Sequence, residues 1–479
     1  MNYRMIIYLL GVVLLLCSGL MLLPMIVALL FEESVLPFVF SVLIGAAVAL
    51  PCVLQRPKDT RIYSKEGFIT VALSWIVLSL FGALPLVFSG TVPNYIDAFF
   101  ETVSGFTTTG ASIIPNVELV GRGINFWRCL THWIGGMGVL VFMLAVMPSA
   151  GGQAIYLMRA EVPGTDKGKL VPKIRKSALI LYGIYVALTL VQMIALIISG
   201  LSPYDAAVVS LSTAGTGGYG VLADSIAGYN NPAAEWIIAV FMLIFGVNFN
   251  VYFFLILGDV RRALKNEELR TYFIICTVAT VILTFSNLDL YAHIGDSIRS
   301  AFFHAASIMT TTGFVTFELT LWSSLSDTVI FILMAIGACA GSTAGGFKVS
   351  QLIIAVKSAV RELRLVRRPS SVITVRLDGT VVKDETLHTI GSYVFMYVGI
   401  LAVSTLLLSV DNFSFETNFS AALSTLNNVG PVLGEIGTFG SLASYSYFSK
   451  IVMCFNMLVG RLEIFPMLIL FSPRTWKRG

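Results

Sequence analysis

Four times along this chain a serine is followed six residues later by a glycine, with mostly small or polar residues between them. The four stretches are Ser104-Gly105-Phe106-Thr107-Thr108-Thr109-Gly110, Ser212-Thr213-Ala214-Gly215-Thr216-Gly217-Gly218, Ser307-Ile308-Met309-Thr310-Thr311-Thr312-Gly313 and Ser424-Thr425-Leu426-Asn427-Asn428-Val429-Gly430. Thirteen residues before the glycines stand Asp97, Asp205, Ser300 and Thr417, all residue types that cap helix N-termini by accepting backbone N–H bonds. The recurring unit therefore reads as a short capped helix ending in a polar, glycine-bearing turn. Copies one and three also agree at the helix start, Asp97-Ala98-Phe99-Phe100 against Ser300-Ala301-Phe302-Phe303.

Polar turns of this kind are hard to place in so oily a chain. A hydrophobic fraction of 56% against 12% charged implies a polytopic membrane protein, and its length suffices for about ten spans of ~20 residues. A helix of about nine residues is too short to cross a bilayer at ~1.5 Å per residue, so it must re-enter and return on the same side. Irregular backbone at that depth survives only where it is buried in protein or lines a watery cavity.

Two apolar segments, near 5–30 and 36–54, come before the first copy and are separated by Glu32 and Glu33. Each copy is then flanked by apolar helices: about 68–89 and 125–148, 177–200 and 234–258, 270–286 and 326–360, 388–409 and 447–471. The key glycines lie 108, 95 and 117 residues apart, which indicates duplicated modules and not a solenoid. The expected fold is an all-α polytopic membrane protein with four tandem repeats, each an apolar helix, a short re-entrant helix and a second apolar helix. Two N-terminal transmembrane helices (1–66) lead into repeats at 67–165, 166–265, 266–385 and 386–479.

Lys and Arg of short loops stay on the cytoplasmic side. Arg56, Lys58, Arg61 and Lys65 precede the first copy, and Lys167, Lys169, Lys173, Arg175 and Lys176 follow it. Arg261, Arg262, Lys265 and Arg270 follow the second copy, and Lys357, Arg361, Arg364, Arg367, Arg368, Arg376 and Lys383 follow the third. All four turns are thus expected on the outer side, with both termini cytoplasmic.

Four equally oriented turns can surround one axis. Glycine permits backbone angles that other residues resist, so consecutive carbonyl oxygens can face that axis. A ring of carbonyls can replace the hydration shell of a monovalent cation, with the C-terminal partial charges of the short helices nearby. The candidate ion ligands are Thr108, Thr109 and Gly110; Thr216, Gly217 and Gly218; Thr311, Thr312 and Gly313; and Asn428, Val429 and Gly430. Close helix packing through small residues and a secondary transporter with broken helices are the alternatives. Matched offsets in four copies weigh against the first, and four copies with the basic end inward weigh against the second.

The four modules, the turns Thr108-Thr109-Gly110-Ala111-Ser112 and Thr311-Thr312-Gly313-Phe314, and the segment Gly460-Arg461-Leu462-Glu463-Ile464-Phe465 resemble the Trk/Ktr/HKT superfamily of potassium-translocating subunits. The two leading helices make the chain similar to the TrkH branch and not the shorter KtrB branch. The resemblance implies four membrane–pore–membrane repeats around a pseudo-fourfold pore in each protomer, potassium as the transported ion, a homodimer, the bacterial cytoplasmic membrane, and a cytosolic ring of TrkA-like regulatory subunits holding ATP/ADP or NAD(H). Relatives with serine at the first of these glycines tend to admit sodium, so Gly110 implies potassium. The departures Gly217, Val429 and Pro431 imply only modest selectivity. A sodium-permeable protein or a K+/H+ or K+/Na+ symporter of the same fold is the alternative. Symport is argued against here by the absence of membrane-embedded acids near the turns.

Two features suggest a gate. The stretch 337–346 carries Gly337, Gly341, Gly345 and Gly346 in mid-membrane, and at ~1 kcal/mol per interior glycine it should unwind. The resemblance makes it an intramembrane loop beneath the turns, with Lys348 either anchoring it or snorkelling. Arg461 stands midway along the last apolar stretch, where an ionisable group costs about 2.5 kcal/mol or more unless it faces a cavity or partner. The resemblance places it in the pore; an interhelical ion pair is the alternative.

Cys17, Cys52, Cys129, Cys276, Cys339 and Cys454 are scattered through apolar runs and read as buried hydrophobes. His132 beside Trp133 reads as packed or interfacial. No metalloprotease, nucleophile-elbow, P-loop or dinucleotide motif appears, so the chain is expected to bind no cofactor of its own, no nucleic acid, and to catalyse no reaction. The basic segment 357–383 is the expected docking surface for a partner.

Overall fold

The computed structural model describes residues 1–59, 63–138 and 174–476. The expected helix end at 148, the boundary at 165 and the basic residues Arg61, Lys167, Lys169 and Lys173 lie outside them. The described residues are helical apart from turns and one short antiparallel hairpin, Arg376–Leu377 with Thr380–Val381. Asp378 and Gly379 form its tip with positive φ, the backbone that an Asp-Gly pair adopts in tight hairpins.

Among the described residues, six stretches are long and apolar enough to cross a membrane. Two are the leading pair, Tyr3–Leu30 and Leu36–Leu54, and four are the first helix of each repeat: Lys65–Phe88, Ala178–Ile198, Glu267–Ser286 and Asp384–Asp411. Their outward faces are apolar, for example Leu30, Ile274, Phe395 and Leu406. The polar turn residues Thr108, Thr216, Thr311 and Asn428 are fully buried. A polar interior under an apolar exterior is the reverse of a soluble domain and suits a lipid surround.

The second helix of each repeat is interrupted wherever it is described beyond its first turns. Pro232–Phe245 and Phe249–Ile256 meet at 90°, where a straight helix over 234–258 was expected. Asn248 caps the second piece by accepting the Asn250 N–H at 2.9 Å, and the carbonyls freed at the bend are taken up by another repeat. In repeat three, Ser324–Ala335 gives way to a loop before Val349–Arg367. In repeat four, Tyr447–Arg461 stops and Phe465–Phe471 restarts. Glu463 and Ile464 between them have φ of 53° and 64°, an uncommon conformation for a β-branched residue.

The short helices are Tyr95–Phe106, Pro203–Gly215, Ile294–Met309 and Phe415–Asn427, with 12, 13, 16 and 13 residues instead of about nine. Their caps also differ from expectation. Asn94, Ser202 and Ser414 accept the backbone N–H groups of Asp97, Asp205 and Thr417. Those three residues therefore sit at the third helical position, and Ser300 lies inside its helix. Acids there still oppose the positive end of the helix dipole.

The core falls in two halves. One joins the leading helices to repeats one and four, and the other joins repeats two and three to the inner face of repeat four. All six cysteine thiols are free, and five are buried.

Candidate functional site

The four short helices end alike. The N–H groups of Thr109, Gly217, Thr312 and Val429 each bond the carbonyl of the serine five residues back, all at 2.9 Å. This 6→1 bond defines a Schellman ending, which needs one residue in the left-handed region and usually takes glycine there. Here Thr108, Thr216, Thr311 and Asn428 hold it, with φ of 56°, 55°, 56° and 56°. Left-handed backbone costs an ordinary residue ~1–2 kcal/mol, and such strain persists only where the surroundings impose it, as they do at functional sites.

Two residues on, Gly110, Gly218, Gly313 and Gly430 are left-handed again, with φ of 79°, 78°, 80° and 104°. The residue between is not. This alternation turns the intervening carbonyls to one side, and the four turns close into a ring. A methyl placed on Gly110 would collide with the Gly217 carbonyl oxygen, one on Gly218 with that of Thr312, one on Gly313 with that of Val429, and one on Gly430 with that of Thr109. Each glycine thus abuts the next repeat in cyclic order. All twelve turn residues named from sequence meet at this ring. Asn428 also spans the join between repeats four and one, donating to Thr109 Oγ1 at 3.0 Å and to the Met457 carbonyl at 2.9 Å.

Gly217 replaces the threonine of copies one and three because the His132 ring fills the space of a side chain there. That ring stacks on Tyr219 at 4.1 Å and bonds Ser212 Oγ at 3.1 Å through Nδ1. His132 is therefore packed behind the second turn.

The stretch 337–346 is unwound and lies against the ring. Gly345 N–H donates to Thr311 Oγ1 at 2.8 Å, and Gly345 packs on Asn427 and Asn428. The loop closes at its neck, where Gly337 N–H bonds the Phe347 carbonyl at 2.7 Å. It threads the bend of repeat two: Cys339 N–H donates to the Gly246 carbonyl at 3.1 Å, and Phe249 N–H donates to that of Gly341 at 3.1 Å. Lys348 is buried and anchors the loop, donating from Nζ to the carbonyls of Ala344 and Gly345 at 2.5 and 2.9 Å. It does not snorkel.

Arg461 stands at a helix end and not midway along a helix. Its guanidinium donates to the carbonyls of Thr343 at 2.8 Å, Gly136 at 2.8 Å and Gly135 at 2.5 Å. One side chain of repeat four thus ties the loop of repeat three to the second helix of repeat one.

Sequence reasoning missed two buried acids. Glu268 Oε1 accepts the N–H groups of Ala340 at 2.7 Å and Ser350 at 3.0 Å, clasping the loop from both sides. Glu101 lies behind the first turn, bonded to Arg128 at 2.6 Å with both side chains buried. The expectation of no membrane-embedded acid near the turns is therefore overturned. A lone carboxylate inside an apolar stretch was the available signal for Glu101, whereas Glu268 sits beside Glu267 and Arg270 and gave none.

Comparison with known proteins identifies the family. The family model TrkH, described as a cation transport protein, matches residues 35–478. The chain belongs to the TrkH family. It is 34% identical over the full length of both chains to the Trk system potassium uptake protein TrkH of Escherichia coli K12. Against the Trk system potassium uptake protein TrkG of the same organism it is 30% identical, with 99% of each covered. The crystal structure of the potassium transporter TrkH from Vibrio parahaemolyticus matches with a TM-score of 0.89 at 32% identity, all of both chains included. This TrkH-family chain is a multi-pass membrane transport protein and not an enzyme.

Proposed function

We propose that this TrkH-family protein takes up potassium by conducting it through the ring of turn carbonyls, with the loop 337–346 as the gate. The observation that carries the reading is the cyclic order in which each glycine abuts the carbonyl of the next repeat. Uncharged oxygens in a closed ring can replace the water around a singly charged ion and still release it. Potassium is favoured by the relatives, which are named for its uptake. The loop packs directly on the turns of repeats three and four, so ion passage requires it to move.

Coupled symport needs a carboxylate that exchanges protons or sodium on the path. Glu101 is instead held by Arg128, by Ser112 Oγ and by the Ile113 N–H. The excess of Lys and Arg in the loops opposite the turns supports turns on the outer side and both termini in the cytoplasm, and the family resemblance adds the bacterial inner membrane to the reading. Homodimerisation and a cytosolic TrkA-like ring carrying ATP/ADP or NAD(H) complete the proposal, with the basic face of 357–383 as the docking surface. There Arg361 is paired with Asp384 and Lys357 with Glu267, and the hairpin tip is held in place by Asp378, which accepts from Asn266 Nδ2 at 2.9 Å and from the Glu267 N–H at 2.6 Å.

The test is ion flux into liposomes holding purified protein under an imposed inside-negative voltage, comparing potassium with sodium at fixed pH. Voltage-driven potassium entry exceeding sodium entry is expected. Entry that follows a proton or sodium gradient, and not voltage, would favour the symporter.

A further inference from the structure

The pore-helix side chains behind the ring show a pattern that the turns themselves do not reveal. In repeat one, Glu101 stands nine residues before Gly110, and its Oε2 accepts the N–H of Ile113, three residues past that glycine, at 2.9 Å. In repeat three, His304 stands nine before Gly313, and its Nε2 accepts the N–H of Thr316, again three past the glycine, at 3.3 Å. Its Nδ1 lies 2.8 Å from the Ser300 carbonyl, which fixes the neutral tautomer that leaves Nε2 free to accept. In repeat four the position nine before Gly430 is Ala421, and its neighbour Ser420 does the work: Ser420 Oγ accepts the N–H of Leu433, three past the glycine, at 3.0 Å. Three chemically unrelated side chains thus catch the same amide.

Repeat two carries Val209 at that place, which cannot accept. Its exit is tied to the first brace instead. The Tyr219 hydroxyl donates to the carbonyls of Glu101 and Ala111 at 3.0 and 3.2 Å, and the Arg128 guanidinium lies 4.1 Å from the Tyr219 ring centre. Arg128 also donates to Asn125 Oδ1 at 2.8 Å, and Asn125 Nδ2 donates to the Gly220 carbonyl at 3.1 Å.

We propose that Glu101, His304 and Ser420 are positioning residues that set cation preference by fixing the chain on the far side of each glycine. A turn held at the helix end by its Schellman bond and beyond the glycine by a side chain cannot let its carbonyl recede from the axis. Preference between cations of different size depends on how far such oxygens can give. The Glu101–Arg128 pair makes repeat one the stiffest quarter and extends the restraint to repeat two. The chemical class served is an alkali-metal cation.

This inference rests on the turns being the ion path, and its test separates the two. Potassium and sodium flux would be measured in liposomes for the wild type, Ser420→Ala, His304→Leu and the double variant Glu101→Met with Arg128→Met. The double variant removes both buried charges together, because loss of one alone leaves the other unpaired. Each variant is expected to keep potassium flux while its potassium-to-sodium ratio falls about tenfold, equivalent to ~1.4 kcal/mol. Ser420→Thr, which keeps the hydroxyl, restores the ratio. Folded variants with the wild-type ratio overturn the proposal. Ser420→Ala, the loss of a single hydroxyl, decides the matter should the others fail to fold. A wild type that passes no cation overturns the ion-path reading instead.

Discussion

Replacing Arg461 by glutamine tests the gate most sharply, because this one side chain joins three repeats. Of its three carbonyl partners, Thr343 belongs to the loop, and Gly135 and Gly136 belong to the helix Arg122–Gly136. A hydrogen bond from a charged donor contributes ~1.5–3 kcal/mol, and ~1.4 kcal/mol is a tenfold change in an equilibrium. Losing the Thr343 bond alone should weaken the closed arrangement of the loop by about 10- to 100-fold. On the proposed ion path, a fixed positive charge that would oppose cation entry leaves with it. Reconstituted Arg461→Gln protein, matched to wild type in amount and melting temperature, should conduct potassium at least about tenfold faster, the lower end of that range. Arg461→Lys should fall between them, since an ammonium keeps the charge but lacks the planar fork that reaches several carbonyls. A folded Arg461→Gln protein with flux at or below the wild-type level would refute the reasoning.

Three further outcomes follow from the same geometry. Glu268→Ala leaves the buried N–H groups of Ala340 and Ser350 without their acceptor; at ~1–3 kcal/mol for a group left unsatisfied, melting temperature should drop and potassium flux rise. Gly218→Ala sets a methyl against the Thr312 carbonyl and adds the ~1–2 kcal/mol of left-handed backbone, so potassium flux should fall more than about tenfold in protein that retains its helical circular dichroism. Burial pushes the Glu318 carboxyl up, but hydrogen bonds from Thr438 and Thr320 outweigh it and hold the group below its ordinary value. A depressed folded value means that its contribution is full above the unfolded pKa of ~4.3. That contribution is lost as pH falls through the lower folded value. Melting temperature should therefore drop with acid over that window, and the drop should shrink in Glu318→Gln.

The four turns were legible because local sequence dictates them: a serine carbonyl five residues back, a left-handed residue, then a glycine. Asn428 in place of threonine was the clue to the strained position, since asparagine enters the left-handed region more readily. The caps were misplaced by three residues because Asp97, Asp205 and Thr417 are as suitable by type as Asn94, Ser202 and Ser414. The Ser202-Pro203 pair, a cap followed by proline in the first turn, marked the true start. The loop was legible from its glycines, and the hairpin tip Asp378-Gly379 could have been. The breaks at Gly246 and after Arg461 were not, because tertiary contacts impose them. At the first, carbonyls released by the bend are bonded by Cys339 and Thr343 of a distant repeat. Glu101 and Arg128 are 27 residues apart, and nothing in that spacing shows that the pair closes behind a turn.

The central claim is that four unlike quarters of one polypeptide share a single dehydrated ion. Crystals grown in rubidium or thallium salt, with anomalous scattering used to find the ion, test it directly. The account predicts an anomalous peak on the axis of the ring, within coordination distance of the carbonyl oxygens of Thr109, Gly217, Thr312 and Val429. A peak bound to one repeat alone, or none at the ring while the cation sits elsewhere in the membrane region, would contradict it.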